Sequence, residues 1–149
     1  MDLWTPHVTV AAVIEQDGRF LLVEEMVGGK RCLNQPAGHW ESNETLSEAV
    51  SRETREETAY DFEAEFLIGI YRWATNDGRV YLRFAFGGRI FGHDPSLKLD
   101  EPIVATSWYK PDEIRADRAR HRTPMVQKCV DDYLAQKRYP LTILNDFFE

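Results

Sequence analysis

Three carboxylates at helical spacing are the feature of this sequence that most directly indicates chemistry. Glu53, Glu56 and Glu57 stand at relative positions i, i+3 and i+4, so on a helix they share one face. Clustered carboxylate oxygens are the ligands that hard divalent cations such as Mg²⁺ prefer. The pattern therefore predicts either a cation site or, less specifically, a solvated acidic helix end.

The position of these acids on their helix favours the cation site. At about 100° per residue, Glu53 and Glu57 continue the apolar stripe that begins with Leu46 and Val50, instead of lying opposite it. Such a stripe packs against a core, and burying like charges there is costly without compensation. A bound metal ion supplies that compensation.

Turn and capping signals predict the elements that position these acids. Thr45 and Glu48 form a capping-box pattern, which predicts a helix from just after Thr45 to about Thr58. Lys30 and Arg31 follow two glycines and predict a flexible basic loop. Residues 34–38 predict a short extended piece that ends in a turn.

Apolar periodicity supplies the remaining elements. It predicts strands at 7–14, 19–25, 64–73, 79–91 and 103–109, a short helical turn opening at Pro111, and a second long helix at 123–137. The order ββαβββα predicts an α/β (α+β) fold with a mixed β-sheet and helices packed on its faces.

Composition narrows the class of protein. A chain of 149 residues predicts one domain spanning residues 1–149. The net charge of −7 disfavours binding to a nucleic acid polymer, which requires a basic surface. No stretch approaches the roughly 20 apolar residues of a membrane span, and no secretory signal is evident. Cys32 and Cys129 lack metal or disulfide-framework spacing, so we expect reduced thiols in a cytoplasmic protein.

The acids belong to a longer spaced pattern. Gly38, then Glu44, then the run Arg52-Glu53-Thr54-Arg55-Glu56-Glu57 resembles the Nudix box of the Nudix hydrolase family. Thr54, Ala59 and Tyr60 depart from the apolar and glycine positions of that motif, which concerns the helix exit and removes no charge. Scattered matches over most of the chain, at 7–11, 23–25, 34–39, 82–84 and 138–141, resemble bacterial phosphatases of the family.

This resemblance implies a fold and an activity. The fold is the Nudix-type α/β/α sandwich, and the activity is Mg²⁺-dependent hydrolysis of diphosphate compounds, with Mn²⁺ as a substitute. The implied substrates are small phosphorylated molecules: nucleoside di- and triphosphates, thiamine pyrophosphate, or its hydroxymethylpyrimidine pyrophosphate precursor, with release of orthophosphate by a monomer or homodimer. Two alternatives stay open: a general nucleotide or nucleotide-sugar pyrophosphatase that cuts between phosphates, and a non-catalytic nucleotide sensor, which the retained acids disfavour.

The resemblance also implies roles for the box residues. Glu53, Glu56 and Glu57 would bind the metal, with Glu57 as the central ligand and Glu53 as either a ligand or the acceptor of the water proton. A backbone carbonyl at Ala37 or Gly38 would join them. Arg52 would hold the carboxylates in place, or form only a surface ion pair. Glu44 is implied equally as a supporting ligand and as a structural acid.

Other Nudix enzymes take a further acid from a loop outside the box. Asp100 and Glu101 precede the strand at 103–109, and we expect Glu101 to serve as this catalytic acid. The alternative is that both residues are solvated and only lead into the strand.

Substrate-binding residues are less specifically marked. Lys30 and Arg31 could meet a phosphate from their loop, or remain solvated. Arg83 alternates onto the strand face opposite Leu82 and Phe84, where it would either clamp a phosphate or pair with an acid. Planar rings could stack on Trp73 or Tyr71, which otherwise belong to the core. His39 follows Gly38 and could contact phosphate or be structural.

Overall fold

Two β-sheets and three α-helices form the fold. The computed structural model describes all 149 residues, Met1–Glu149. The strands are β1 (His7–Val13), β2 (Glu15–Gln16), β3 (Arg19–Val27), β4 (Lys30–Asn34), β5 (Ala37–His39), β6 (Tyr60–Ala74), β7 (Val80–His93), β8 (Ile103–Tyr109) and β9 (Tyr139–Pro140). The helices are α1 (Leu46–Thr58), α2 (Pro111–Ala116) and α3 (Met125–Leu134), with 3₁₀ turns at Arg118–Arg120 and Leu141–Ile143.

The larger sheet is mixed, as predicted. Its strand order is β5-β1-β7-β6-β9. Strands β1 and β7 pair in parallel, whereas the other neighbours are antiparallel. In the smaller sheet, β3 pairs antiparallel with β2, β4 and β8. Strand β5 is therefore an edge strand of the larger sheet, next to β1.

Helices cover both faces of the larger sheet. Along β1, Val10 and Ala12 join a buried cluster that includes Val50 of α1. Val13 points to the opposite face, into a second cluster that includes Val130 of α3. This alternation produces the layered helix–sheet–helix arrangement that the sequence predicted.

Helix α1 begins and ends as its sequence indicates. The Thr45 side chain accepts from the Glu48 N–H, and the Glu48 side chain accepts from the Thr45 N–H, which completes the predicted capping box. The helix exit turns at Ala59, whose φ of 62° and ψ of 13° are left-handed. A residue with a side chain pays a steric cost of about 1 kcal/mol there, which explains why the family motif has glycine at this position.

Two predicted elements differ in the structure. Lys30 and Arg31 do not lie in a flexible loop, because Gly28 and Gly29 with positive φ make a tight turn and β4 starts at Lys30. Helix α3 is shorter than predicted, spanning Met125–Leu134, and Gln136 beyond it adopts a φ of 64°. No helix is both long and apolar enough to cross a membrane.

Candidate active site at the edge strand β5

The predicted acids of α1 lie against the edge strand β5. Glu53 is 8% exposed and Glu57 is 7% exposed, so both are buried as their place on the apolar stripe predicted. Gly38 lies directly beneath Glu53, and a Cβ on Gly38 would be 2.1 Å from the Glu53 Cδ. Only glycine leaves room for this carboxylate at the sheet edge.

Side chains of α1 form hydrogen bonds with the backbone of β5 along the edge of this strand that does not pair with β1. The Ala37 N–H donates to Glu57 Oε1 at 2.9 Å, and the His39 carbonyl accepts from Arg52 Nη2 at 3.0 Å. Gly38, between them, is in register with Val10 of β1. Because backbone groups alternate along an antiparallel edge strand, the Gly38 carbonyl faces β1 and the Ala37 carbonyl faces the acids. Of the two alternative backbone ligands, the geometry therefore favours Ala37 over Gly38.

Arg52 connects the acids to one another. Its Nε and Nη2 donate to the two oxygens of Glu44 at 2.9 and 2.8 Å, a bidentate pair. Its Nη1 donates to Glu53 Oε1 at 2.9 Å and to Glu56 Oε2 at 3.2 Å. These bonds exceed an ordinary surface ion pair and fix Glu44 as a carboxylate that orients Arg52.

Burial makes the ionised acids unfavourable without a cation. Desolvation raises the pKa of Glu53 to about 7, although Arg52 acts in the opposite direction. Desolvation also raises the pKa of Glu57 to about 9, and the charges of Glu25, Glu53 and Asp100 add to the effect. In contrast, the hydrogen bond from Arg52 lowers the pKa of Glu44. A divalent cation fits this site because Glu44, Glu53 and Glu56 share the single charge of Arg52 and no cation pairs with Glu57, so the site keeps an excess of negative charge.

Three carboxylates converge where a metal ion could be held. One oxygen each from Glu53, Glu56 and Asp100 lie within 4.8 Å of one another. The Asp100 N–H donates to the Glu56 carbonyl at 3.1 Å, which ties the loop to the end of α1. Glu101, the predicted loop acid, is exposed and outside this group. The structure therefore favours Asp100 over the predicted Glu101 as the loop acid, because the turn that docks on α1 directs Asp100 towards the acids.

Glu25 is an acid near the site that the sequence did not reveal. It is 3% exposed, accepts from Asn34 Nδ2 at 3.2 Å and pairs with Arg122 Nη1 at 2.9 Å. The only sequence signal was an acid at the end of the apolar run of β3, which is also expected of an exposed strand end. Its burial depends on Arg122, which is distant in the chain.

A pocket of about 270 Å³ opens on the other side of β5, against the sheet face that α3 covers. Ala37 and Gly38 belong to its wall, so the pocket adjoins the acidic site. The strand register explains the lining. His7, Tyr81 and Trp73 form one row across β1, β7 and β6, and His39, Thr9 and Arg83 form the next row across β5, β1 and β7.

The rings of the first row, His7, Tyr81 and Trp73, stack on one another. The Trp73 and Tyr81 rings are 5.5 Å apart and 28° from parallel, and the Tyr81 and His7 rings are 4.9 Å apart. Trp73 lines the pocket, as its predicted substrate role requires. Tyr71 instead donates to Asp132 Oδ2 at 2.7 Å and packs against the second buried cluster.

Arg83 lies at the base of this pocket with neutral partners. It is 3% exposed, and its Nη1 and Nη2 donate to Gln35 Oε1 and Asn34 Oδ1 at 2.9 and 3.0 Å. Its Nε has no partner. The alternative that Arg83 pairs with an acid is therefore wrong, and a buried guanidinium without a carboxylate favours a nearby anion.

The remaining predicted substrate residues divide between the pocket and the surface. His39 lines the pocket and its Nε2 lies 3.3 Å from His7 Nδ1, while burial lowers its pKa. Lys30 and Arg31 do not line the pocket. Arg31 pairs with Glu24 at 2.6 Å, and Lys30 is exposed at the start of β4.

Comparison with known proteins gives the family. A model of the NUDIX domain matches residues 5–129. Phosphatase NudJ of Escherichia coli (strain K12) is 38% identical over 145 residues, which cover 97% of this chain and 94% of that protein. A NUDIX hydrolase structure from Nitrosomonas europaea has a TM-score of 0.94 and 53% identity, covering 96% of this chain and 98% of that one.

A more distant structure shares the fold. A bifunctional NMN adenylyltransferase/ADP ribose pyrophosphatase from Francisella tularensis, complexed with AMP and a Mn ion, has a TM-score of 0.66 at 21% identity. The match covers 91% of this chain and 43% of that one. Because the domain model spans most of the sequence and the curated relative aligns over nearly all of it, the chain belongs to the Nudix hydrolase family.

Proposed function

We propose that this Nudix hydrolase uses Mg²⁺, with Mn²⁺ as a substitute, to hydrolyse small diphosphate compounds and release orthophosphate. The proposed substrates are nucleoside di- and triphosphates, thiamine pyrophosphate or its hydroxymethylpyrimidine pyrophosphate precursor. Similarity to a protein named a phosphatase supports orthophosphate as the product. The distant neighbour that is complexed with a Mn ion supports a divalent cation.

One observation carries the proposal: two buried acids face an edge strand whose other side is a cationic pocket. Glu53 and Glu57 are both less than 10% exposed. Glu53 shares Arg52 with Glu44 and Glu56, and Glu57 has no cationic partner. The pocket wall shares Ala37 and Gly38 with the acidic site. A diphosphate can therefore place one phosphorus beside the acids and extend its organic part into the pocket.

Each box residue then has a task in the hydrolysis. Glu53, Glu56 and Asp100 would hold the cation, together with Glu57 and the Ala37 carbonyl. The bound cation would neutralise phosphate charge and lower the pKa of a water molecule. Glu53 is also the proposed acceptor of the water proton, because its carboxylate lies beside the proposed cation position and Arg52 Nη1 holds it there at 2.9 Å.

The reaction balances with water as the only co-substrate. The water oxygen attacks phosphorus and one of its protons passes to the Glu53 carboxylate. The bond from phosphorus to the bridging oxygen breaks, and its electron pair leaves with that oxygen on the second phosphate product. Arg52 keeps Glu53 oriented for this transfer through the 2.9 Å bond. Glu44 in turn fixes the plane of the Arg52 guanidinium through two bonds.

The proposal also covers the domain organisation, the oligomeric state, the location and the size of the substrate. Residues 1–149 act as one Nudix domain, in a monomer or homodimer. Cys32 and Cys129 are both free thiols, which supports a cytoplasmic location. The net charge of −7 supports a small-molecule substrate rather than a nucleic acid polymer.

An orthophosphate assay across a substrate panel tests the proposal. Thiamine-type pyrophosphates, nucleoside di- and triphosphates and dinucleotides are each incubated with Mg²⁺, with Mn²⁺ and with EDTA. We expect metal-dependent orthophosphate release from at least one diphosphate, and loss of most of it in Glu57→Gln, which deletes a ligand charge while preserving size. Release of a monophosphate ester without orthophosphate would indicate the pyrophosphatase alternative. Full turnover in Glu57→Gln would refute the metal assignment.

A further inference from the structure

The pocket on the α3 face is cationic, although the protein as a whole carries a net charge of −7. Arg79, Arg83 and Arg122 line it, and no aspartate or glutamate does. Arg79 is paired at its own hairpin, with Nε 3.0 Å from Asp77 Oδ2. Arg122 reaches the pocket from the segment between α2 and α3, outside the Nudix box.

The backbone around Arg122 is fixed to the neighbouring sheet. The Arg122 N–H donates to the Leu33 carbonyl at 2.9 Å, and His121 forms a parallel bridge with Leu33. A ring nitrogen of His121 lies 2.9 Å from the Ile114 carbonyl. These contacts hold the segment along the edge of β4, so binding a ligand need not order this part of the backbone.

The Arg122 side chain is held by Glu25 and still faces the pocket. Its Nη1 lies 2.9 Å from Glu25 Oε1, and the Arg122 side chain is 43% exposed whereas that of Glu25 is 4% exposed. A guanidinium has five N–H donors, and this ion pair occupies one nitrogen. Arg122 also contributes, after burial and His7, to lowering the pKa of His39, so its charge acts across the pocket mouth.

Ala37 and Gly38 have the α1 acids on one side and this pocket on the other. A diphosphate held beside the acids therefore presents its remaining phosphate oxygens to the pocket. We propose that Arg122 is an anion-binding residue for those oxygens and that Glu25 positions it. This inference rests on the proposed function and deepens it, because it requires substrates with phosphate oxygens on both sides of Gly38.

Binding of a non-hydrolysable diphosphate tests the role of Arg122 without catalysis. Methylenediphosphonate is titrated into the full-length protein with saturating Mg²⁺, and the dissociation constant is measured by calorimetry. We expect Arg122→Met to weaken binding about tenfold or more, because a charge-assisted hydrogen bond to the anion is lost. Arg122→Lys retains the charge but not the planar fork, so we expect an intermediate affinity.

Arg120→Met is the matched control. Arg120 lies in the same segment but pairs with Asp117 at 2.8 Å and Glu24 at 3.6 Å, outside the pocket. We expect its affinity for methylenediphosphonate to equal that of the wild type. An equal loss in both variants would overturn the inference, because it would assign the effect to the segment instead of to Arg122.

Removing Arg122 alone leaves Glu25 buried and unpaired, which destabilises the fold. The double variant Glu25→Gln/Arg122→Met removes both charges and decides the question if the single variant does not fold. Wild-type affinity in that double variant, or no binding of methylenediphosphonate by the wild type, would overturn the inference. Absence of orthophosphate release, in contrast, would overturn the proposed function alone, since binding of this ligand requires no hydrolysis.

Discussion

Gly38 and Glu53 are in such close contact that the carboxylate occupies the space where a Cβ on Gly38 would stand. The hypothetical Cβ would lie 2.2 Å from Glu53 Oε1 and 2.3 Å from Oε2. The atoms that would have to move are the end of a flexible side chain and not backbone. An added methyl group at this position therefore displaces the carboxylate before it disturbs the sheet.

Gly38→Ala should consequently separate activity from stability. We expect activity to fall about 100-fold, because a displacement of about 1 Å at a catalytic group has that effect. The melting temperature should change little, since Glu53 can rotate away. Orthophosphate release and thermal unfolding of the same preparation measure the two quantities. Undiminished turnover would show that the position of Glu53 is not critical.

The local sequence predicted helix α1 better than it predicted the rest of the site, and it did not predict the contact between Gly38 and Glu53. Helix α1, its capping box and the burial of Glu53 and Glu57 all follow from residue spacing within one element. The choice of Ala37 over Gly38 as a backbone ligand depends on which edge of β5 faces β1, which is a property of strand pairing. Sequence spacing alone does not contain that information.

The sequence did not predict the positions of residues whose contacts are with residues distant in the chain. Glu25 is buried because it pairs with Arg122, nearly a hundred positions later. Asp100, and not the predicted Glu101, lies beside Glu53 and Glu56 because its N–H is bonded to the last turn of α1. The glycines before Lys30 and Arg31 correctly predicted a turn. The turn is so short that Lys30 and Arg31 belong to β4 and not to a loop. Each difference arises from tertiary contacts that override a local pattern.

The stability of the metal-free protein should fall as pH rises from about 6.5 to 8.5. Burial raises the pKa of Glu57 from 4.5 to about 9, so in this range the folded state retains a proton that the unfolded state has lost. Stability decreases with pH wherever the folded state binds more protons, by at most about 1.4 kcal/mol per pH unit for one group. Burial lowers the pKa of His39 and of His121, which acts in the opposite direction up to about pH 7.5, so the decrease is clearest above that value.

Urea unfolding in EDTA at several pH values measures this dependence. Glu57→Gln should show a flatter profile and a larger free energy of unfolding than the wild type at pH 8, because it carries no ionisable group there. Saturating Mg²⁺ should stabilise the wild type more strongly as pH increases, since ligand carboxylates must be ionised. A wild-type stability that rises over this range would contradict the assignment of a raised pKa to Glu57.

Arg52→Lys should weaken Mg²⁺ binding although it preserves the charge. Arg52 bonds Glu44 through two nitrogens and reaches Glu53 and Glu56 with a third donor position, a geometry that an ammonium does not reproduce. We expect Mg²⁺ affinity to fall about 10- to 100-fold, as is usual when a residue that orients metal ligands is changed. Calorimetric titration with Mg²⁺ measures the affinity.

Arg55→Lys provides the control for Arg52 on the same helix. Arg55 pairs with Asp61 at 2.6 Å, with both side chains partly exposed and away from the acids. Its replacement should leave Mg²⁺ affinity unchanged. If the two lysine variants bound Mg²⁺ equally well, the planar guanidinium of Arg52 would have no role in orienting the acids.

Asp100→Asn and Glu101→Gln form a matched pair that decides which loop acid serves the site. Each substitution removes one negative charge from adjacent residues, so their effects on net charge are identical. Asp100 has an oxygen within 4.8 Å of oxygens of Glu53 and Glu56, whereas Glu101 is outside that group. We therefore expect Asp100→Asn to lower orthophosphate release at limiting Mg²⁺ about tenfold or more, by analogy with the loss of a group that supports a metal. Glu101→Gln should retain wild-type turnover and Mg²⁺ dependence, and the reverse ranking of the two variants would restore Glu101 as the loop acid.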